Sequence, residues 1–343
     1  MLATIVLTIQ VLPIILFAFT PASSGSPNSV TVEIRKGDRP GAIAKTLETS
    51  GVIKSASSFQ TLGTITRKWP RIKAGEYEVS STQTPLQIFA VLGSGVSVAH
   101  PITISEGLNM YQVADLLAQK GLAKKADFVS LCKDPKLIAS LGFRPPLPRT
   151  LEGYLFPETY FFNRAMSATE MVKIMVGKFF ATWTDRDEAR AREMGLTRHE
   201  LVTLASVVEK ETGAPQERPL IASVFYNRLR KGMRLQSDPT TIYGIWETYK
   251  GNITREHLQQ RTDYNTYAIS ALPAGPIANP GKAALQATLN PATSNYLFFV
   301  SKNDGTHQFS ETLEQHTRAV RAFQMNPAAR AGKSWRDLSK KTK

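Results

Sequence analysis

The chain has 343 residues with 42% hydrophobic side chains, enough to bury the cores of two or three domains, which argues against a disordered protein. Its 42 Lys and Arg against 28 Asp and Glu leave a net charge of +14, which suits an anionic partner such as a phospholipid surface, an acidic polymer or nucleic acid. The single cysteine, Cys132, excludes an intramolecular disulfide and a multi-cysteine metal site.

Residues 2–19, LATIVLTIQVLPIILFAF, carry no charge and are long enough to cross a bilayer as one helix. Two readings compete: a membrane anchor over 1–20, or a secretory signal removed after TPASSG. The length of the apolar run favours the anchor, whereas the absence of Lys or Arg before it weakens the argument for orientation. Pro13 would kink such a helix, which membrane helices tolerate. Residues 21–30 read as a Ser/Pro/Gly linker, and the rest of the chain is expected on the far side of the membrane.

Beyond the linker, VEIRKGDRPGAIAKTLETSG at 32–51 aligns with ITISEGLNMYQVADLLAQKG at 102–121, an offset of 70. Val32, Ile34, Gly37, Ile43, Ala44, Leu47 and Gly51 match Ile102, Ile104, Gly107, Val113, Ala114, Leu117 and Gly121. Each copy predicts a strand, a glycine turn, an amphipathic helix and a glycine stop. Between them, AGEYEVSS predicts a strand and Thr84 the start of a helix. The 31–142 region resembles LysM-type carbohydrate-binding modules, and its role is open between glycan binding and spacing. The proline cluster FRPPLPRT at 143–150 reads as a domain boundary.

From 151 onward, LEGYLFPETYFF predicts strand on either side of Pro157, with Tyr154, Phe156 and Tyr160 as core or as a platform for a sugar ring. Ser167 and Glu170 form a capping box. A second, Thr197 and Glu200, opens a helix in which Leu201, Leu204, Ala205, Val208 and Thr212 recur before Gly213 ends it. Its last turn carries Glu209 and Glu211. The negative end of a helix disfavours ionised carboxylates there and pushes their pKa upward, as a general acid requires. At about 100° per residue the two lie roughly 160° apart and cannot both face one cleft. Spacing alone does not choose between them. A further helix is expected through Arg230, then a polar turn with Gln236, Ser237, Asp238 and Thr240, loops carrying Tyr264, Asn265 and Tyr267, and a strand over 295–301.

EGYLFPETY, ASVVEKET, FYNRL with GMRLQSDPTTIYG, YNTY with LPAGPIANPG, and LNPA with YLFFV together resemble the YceG-like (MltG) family of endolytic peptidoglycan transglycosylases. The resemblance is dense over 151–301 and loose before it. It implies an α+β protein: an N-terminal membrane helix, small LysM-like α/β modules, a catalytic domain over 151–330 and a basic tail over 331–343. It implies an enzyme of the bacterial inner membrane, single-pass, with its catalytic domain outside the cytoplasm. There it would cut nascent glycan strands beside the peptidoglycan synthases. In such enzymes one carboxyl protonates the MurNAc–GlcNAc glycosidic oxygen and then takes the proton of the MurNAc C6 hydroxyl as it attacks C1, leaving a 1,6-anhydro end. The pair Glu211–Thr212 resembles the Glu–Ser pair of other lytic transglycosylases, which favours Glu211 as that acid and leaves Glu209 as a partner or alternative.

The resemblance further implies that Gln236, Ser237, Asp238 and Thr240 line the cleft opposite Tyr264, Asn265 and Tyr267, with Tyr154 and Phe156 also bearing on substrate. Asn227 and Arg228 could instead hold loop carbonyls, and Glu152 or Glu158 could tune the acid. The rival reading is a non-catalytic glycan clamp of the cell envelope. His100, His199, His257, His307 and His316 make no HExxH pair and no G-x-S-x-G elbow is present, so no metal or cofactor is expected. No motif supports nucleic-acid binding.

Overall fold

The structure, a computed structural model, describes residues 12–326. Most of the expected membrane span, residues 2–11, and the basic tail over 331–343 lie outside the described residues. Residues 12–19 are helical (α1), and among the described residues no helix is long and apolar enough to cross a membrane.

The described protein is mixed α and β, with many helices and three two-stranded sheets. Contacts divide it into two compact units. One takes the chain up to Ile102 together with Leu117–Lys124 and Thr159–Met171; the other takes Thr103–Leu116, Lys125–Glu158 and the chain from Val172 onward. The proline cluster at 143–150 falls inside the second unit.

In the first unit β1 (Ser29–Ile34) leads through α2 (Pro40–Thr49) and α3 (Ala56–Ile65) to β2 (Gly75–Ser80), which returns antiparallel to β1 with Val32 opposite Tyr77. The period-2 alternation puts Val32, Ile34, Tyr77 and Val79 on one face, and the helices close it with Ile43, Ala44, Leu47, Phe59 and Leu62. Ala18 of α1 is buried against the same core. Then α4 (Pro85–Ser94) follows, opened by Thr84, whose hydroxyl accepts from the Gln87 amide while the Gln87 side chain accepts from Thr84.

The second sequence copy takes the same local form. β3 (His100–Thr103) precedes Gly107, which like Gly37 has positive φ, and then α5 (Met110–Gln119) and α6 (Lys125–Cys132). Gly51 and Gly121 close their helices at φ of 72° and 67°, a backbone that only glycine adopts without steric cost. After α7 (Pro135–Ser140) comes β4 (Thr159–Phe162), the partner of β3. The strand expected before Pro157 does not form. Gly153 sits at φ 85° in a run of turns, where a Cβ would lie 2.6 Å from Pro276 and 2.9 Å from Val202, so close packing of an irregular backbone replaces the extended one.

The remaining helices belong to the second unit from Val172 on. They are α8 (Ala168–Thr182), α9 (Asp185–Glu193), α10 (Arg198–Glu211), α11 (Arg218–Arg230), α12 (Asp238–Gly244), α13 (Arg255–Gln259) and α14 (Lys282–Leu289). The hairpin β5 (Phe298–Ser301) and β6 (His307–Ser310) and then α15 (Leu313–Val320) complete it. α10 is the central element. Leu201, Val202, Leu204, Ala205, Val207 and Val208 are all buried, and Leu204, Val207 and Val208 pack with Ile221, Ala222 and Phe225 of α11, Leu235 and Ile277. Each such side chain contributes roughly 1.5–3 kcal/mol of transfer free energy. Thr203 and Ser206, buried on the same helix, satisfy their hydroxyls on its own carbonyls, so the whole 201–208 stretch can sit in the middle of the unit.

Candidate functional site

Both ends of α10 are fixed by side chains. At its start the Thr197 hydroxyl accepts from the Glu200 amide at 3.2 Å and the Glu200 carboxylate accepts from the Thr197 amide at 2.8 Å. At its end Thr212 leaves the helical region with ψ 116°, and its hydroxyl donates to Val208 O at 2.7 Å. Gly213 serves a different purpose from a left-handed cap: a Cβ there would lie 2.6 Å from Gly305 O in the turn between β5 and β6. The glycine therefore lets the hairpin close directly onto the end of α10.

That contact shapes a cavity of about 500 Å³ whose lining includes Glu211, Arg228, Gln236, Asp238, Tyr267 and His307. Glu211 is half-buried at its wall, and the Ser237 hydroxyl donates to its Oε1 at 2.6 Å. Burial pushes the Glu211 carboxyl above the ordinary range and the nearby Asp238 charge adds to this, while the Ser237 hydrogen bond, His307 and Arg228 pull the other way. A carboxyl that holds its proton beyond the usual carboxylate range, with one oxygen committed to a donor and the cavity in front of it, is built for proton transfer.

The supporting loop is organised by hydroxyls. Ser237 is buried, and its amide donates to Thr266 Oγ1 at 3.0 Å. Thr240 Oγ1 donates to Ser237 O at 2.6 Å and lies 2.8 Å from Thr266 Oγ1. Gln236 holds a left-handed backbone, φ 52°, at a cost of roughly 1–3 kcal/mol for a residue with a Cβ. Asp238 Oδ1 accepts from the Tyr267 hydroxyl at 2.7 Å. Arg228 donates to Leu235 O and Leu297 O, each at 2.7 Å, and Asn227 donates to Ser294 O and Tyr296 O, each at 2.9 Å, so both hold loop carbonyls.

Of the residues expected in a cleft, the structure thus gathers Glu211, Gln236, Ser237, Asp238 and Tyr267 at one place. Glu209 points elsewhere, as the helical angle requires: it accepts from Arg218 at 3.0 Å and from the Gly281 amide at 3.1 Å, with Glu106 3.6 Å from the same guanidinium. Thr240 and Asn265 are fully buried under the loop. The two Nδ2 hydrogens of Asn265 are shared among the carbonyls of His257, Leu258 and Gln260, and its Oδ1 accepts from Thr241 Oγ1 and the Tyr267 amide, so its hydrogen-bonding capacity is spent on the protein. Tyr264 packs its ring 4.8 Å from Tyr243 and lines a separate cavity with Tyr111 and Trp246. Tyr154 and Phe156 are core side chains, with the Tyr154 hydroxyl 3.0 Å from His199 Nδ1 and its ring edge-on to Phe143 and Phe179. Lys210 is exposed, with its Nζ donating to Gly107 O at 3.2 Å.

Glu152 is fully buried away from this cavity. Both its oxygens accept from the Met110 amide, at 3.1 and 2.9 Å, and Oε1 accepts from Asn279 at 3.2 Å. It ties the start of α5 to the 279 loop, and burial raises its carboxyl to about 7. Glu158 faces Lys178 at 3.1 Å. The groups that act on the Glu211 carboxyl are therefore Ser237, Asp238, His307 and Arg228, not Glu152 or Glu158. His307 and His316 are cavity residues without a local sequence signal, since both lie far from Glu211 in the chain.

The sequence pattern of the YceG-like family matches residues 32–322. The chain belongs to the YceG-like family. This YceG-like chain is 32% identical over 316 residues to a protein of Bacillus subtilis (strain 168) named endolytic murein transglycosylase, covering 88% of this chain and 87% of that one. It is 29% identical over 334 residues to the endolytic murein transglycosylase of Streptococcus pneumoniae serotype 2 (strain D39 / NCTC 7466), spanning 60% of that longer protein. Its fold matches the crystal structure of a yceG-like protein from Listeria monocytogenes with a TM-score of 0.58 at 34% identity, over 85% of this chain and 99% of that one.

Proposed function

We propose that this YceG-like protein is an endolytic murein transglycosylase, a lyase that cleaves the MurNAc–GlcNAc bond within peptidoglycan strands and leaves 1,6-anhydro-MurNAc ends, with Glu211 as its single acid and base. The carrying observation is the Glu211 carboxyl, its pKa raised by burial at the wall of a cavity and one oxygen held by Ser237. The names of the Bacillus and Streptococcus relatives support the same reaction.

In this reading neutral Glu211 donates its proton to the glycosidic oxygen as the bond to C1 breaks. The resulting carboxylate accepts the proton of the C6 hydroxyl as that oxygen bonds to C1. Proton count and charge are restored without water. Ser237 favours the carboxylate midway through the cycle, while burial returns it to the acid form at the end. Asp238 is the second carboxylate of the cavity; its Oδ1 is occupied by Tyr267, and its charge helps keep Glu211 protonated. Gln236 and Tyr267 present directional polar groups suited to sugar hydroxyls and acetamido groups.

The remaining assignments belong to the same proposal. Residues 2–19 act as a single membrane anchor that keeps the catalytic unit outside the cytoplasm, within reach of nascent strands and of the synthases that make them; the support is the uncharged run itself. The segments beginning at β1 and β3 serve as LysM-like modules, supported by the strand, two helices and returning antiparallel strand from β1 to β2.

The test is digestion of uncrosslinked glycan strands by wild type, Glu211→Gln and Glu209→Gln, with chain ends read by mass spectrometry. Wild type and Glu209→Gln are expected to produce internal cuts with 1,6-anhydro ends, and Glu211→Gln none. Hydrated reducing ends would make the enzyme a hydrolase. Loss only in Glu209→Gln would move the acid by two residues. A folded wild type that binds strands without cutting them would make the protein a clamp.

A further inference from the structure

The cavity that Glu211 lines is also walled by the β5–β6 hairpin and α15, which contribute two histidines, His307 and His316. His307 opens β6 directly after the turn whose Gly305 carbonyl rests on Gly213. Its imidazole is held unusually firmly. Nδ1 lies 2.8 Å from Glu217 Oε2, and the His307 backbone amide donates to the other oxygen of that carboxylate at 3.0 Å. One carboxylate thus fixes both the main chain and the ring. Phe299 meets the ring at 5.4 Å, nearly perpendicular, and Phe309 at 6.4 Å, so its rotation is restricted by packing as well.

With the Nδ1 hydrogen committed to Glu217, Nε2 is the ring nitrogen left for a ligand, and its tautomer is set by the carboxylate behind it. His316 lies on the same wall. Its ring stacks on Phe298 at 5.1 Å, and its buried Nδ1 has no hydrogen-bond partner among the described residues.

We infer that His307, fixed by Glu217, contacts the amino-sugar chain in the Glu211 cavity through Nε2 and is a catalytic residue of the enzyme, with Glu217 as its positioning residue. This rests on reading the cavity as the glycan-cleaving site. The ligand class follows from the donors and acceptors available: an imidazole nitrogen, a tyrosine hydroxyl and a glutamine amide suit the neutral hydroxyl and acetamido groups of a GlcNAc–MurNAc strand. The Glu217–His307 pair holds its hydrogen bond before substrate arrives. A preset dipole aimed at a desolvated site requires no reorganisation during the reaction, which is where such contacts are worth most.

The experiment measures kcat and KM on uncrosslinked glycan strands for the full-length protein carrying His307→Ala, His307→Gln, Glu217→Gln, and Glu217→Gln combined with His307→Ala. His307→Ala is expected to lower kcat/KM by about 10- to 100-fold, the range set by losing one directed hydrogen bond in a desolvated site. His307→Gln, which keeps a donor and an acceptor, retains more activity. Glu217→Gln lowers kcat/KM by roughly 5- to 10-fold in the wild-type background and has no further effect once His307 is Ala, since it acts through that ring. A purely structural Glu217 would lower both backgrounds alike and overturn its positioning role.

Binding of the same strands is measured in parallel by calorimetry on Glu211→Gln protein, where His307→Ala is expected to weaken affinity several-fold. Kinetics and binding unchanged by both His307 replacements, with melting temperature also unchanged, would overturn the contact. If wild type itself yields no lytic product, the reaction assignment fails on its own, and the binding arm decides whether His307 touches glycan. Should His307→Ala not fold, His307→Gln carries the same comparison.

Discussion

Burial of Glu152 makes the stability of the larger unit depend on pH in a direction opposite to that of an ordinary salt-bridged carboxylate. The side chain is fully buried, and its carboxyl titrates at about 7 in the fold against 4.5 when free. Because the folded value lies above the unfolded one, the protonated form is the one the fold favours. Its contribution is fully present below about pH 4.5 and is lost as pH rises through about 7. At about 1.36 kcal/mol per pH unit, the whole window is worth about 3 kcal/mol, and about 2.5 kcal/mol of it falls between pH 5 and 8. Urea titrations of wild type and Glu152→Gln at pH 5 and pH 8 would read it. Wild type should lose about 2–3 kcal/mol more than the variant across this interval, since Gln fills the same space and cannot titrate. Glu211 and Glu106, whose carboxyls are also raised, are present in both proteins and cancel in the comparison. Parallel pH dependence of the two proteins would refute the assignment of a neutral Glu152 to the fold at low pH.

Two more outcomes follow from the geometry of the cavity. Ser237→Ala removes the donor that favours ionised Glu211, so its carboxyl should rise further and the basic limb of kcat/KM, where the acid is lost, should move to higher pH; a limb that stays put or moves down would show that Ser237 does not bond the working carboxyl. Gly213→Ala brings a methyl against the Gly305 carbonyl, which must shift the hairpin turn. Activity on glycan strands should fall at least about tenfold, because a displacement of about 1 Å at a catalytic site costs that much or more, while far-ultraviolet circular dichroism stays near wild type.

Some of this protein was settled by the sequence alone. The capping boxes at Ser167/Glu170 and Thr197/Glu200 depend only on residues three apart, so local pattern suffices to place them. The offset of 70 put glycines at 37 and 107 and at 51 and 121, and a positive φ is a local demand that only glycine meets cheaply. Helical geometry also separated Glu209 from Glu211. It could not say which of them faced a cavity, since that depends on where Arg218, Gly281 and the β5–β6 hairpin come to lie.

Tyr154, Phe156 and the loop residues Thr240 and Asn265 had the composition of a sugar-binding surface, and tertiary packing turned them inward, while Tyr264 went to a separate cavity. Composition records what a side chain can bond to, and burial decides whether the partner is the protein itself. His307 is the converse case. Nothing within several residues of it hints at a site, because its partner Glu217 and the Glu211 of the same cavity both lie about 90 or more residues earlier in the chain. Short-range periodicity fixed the helices, whereas contacts across the length of the chain chose the carboxyl, buried its neighbours and brought the histidine to it.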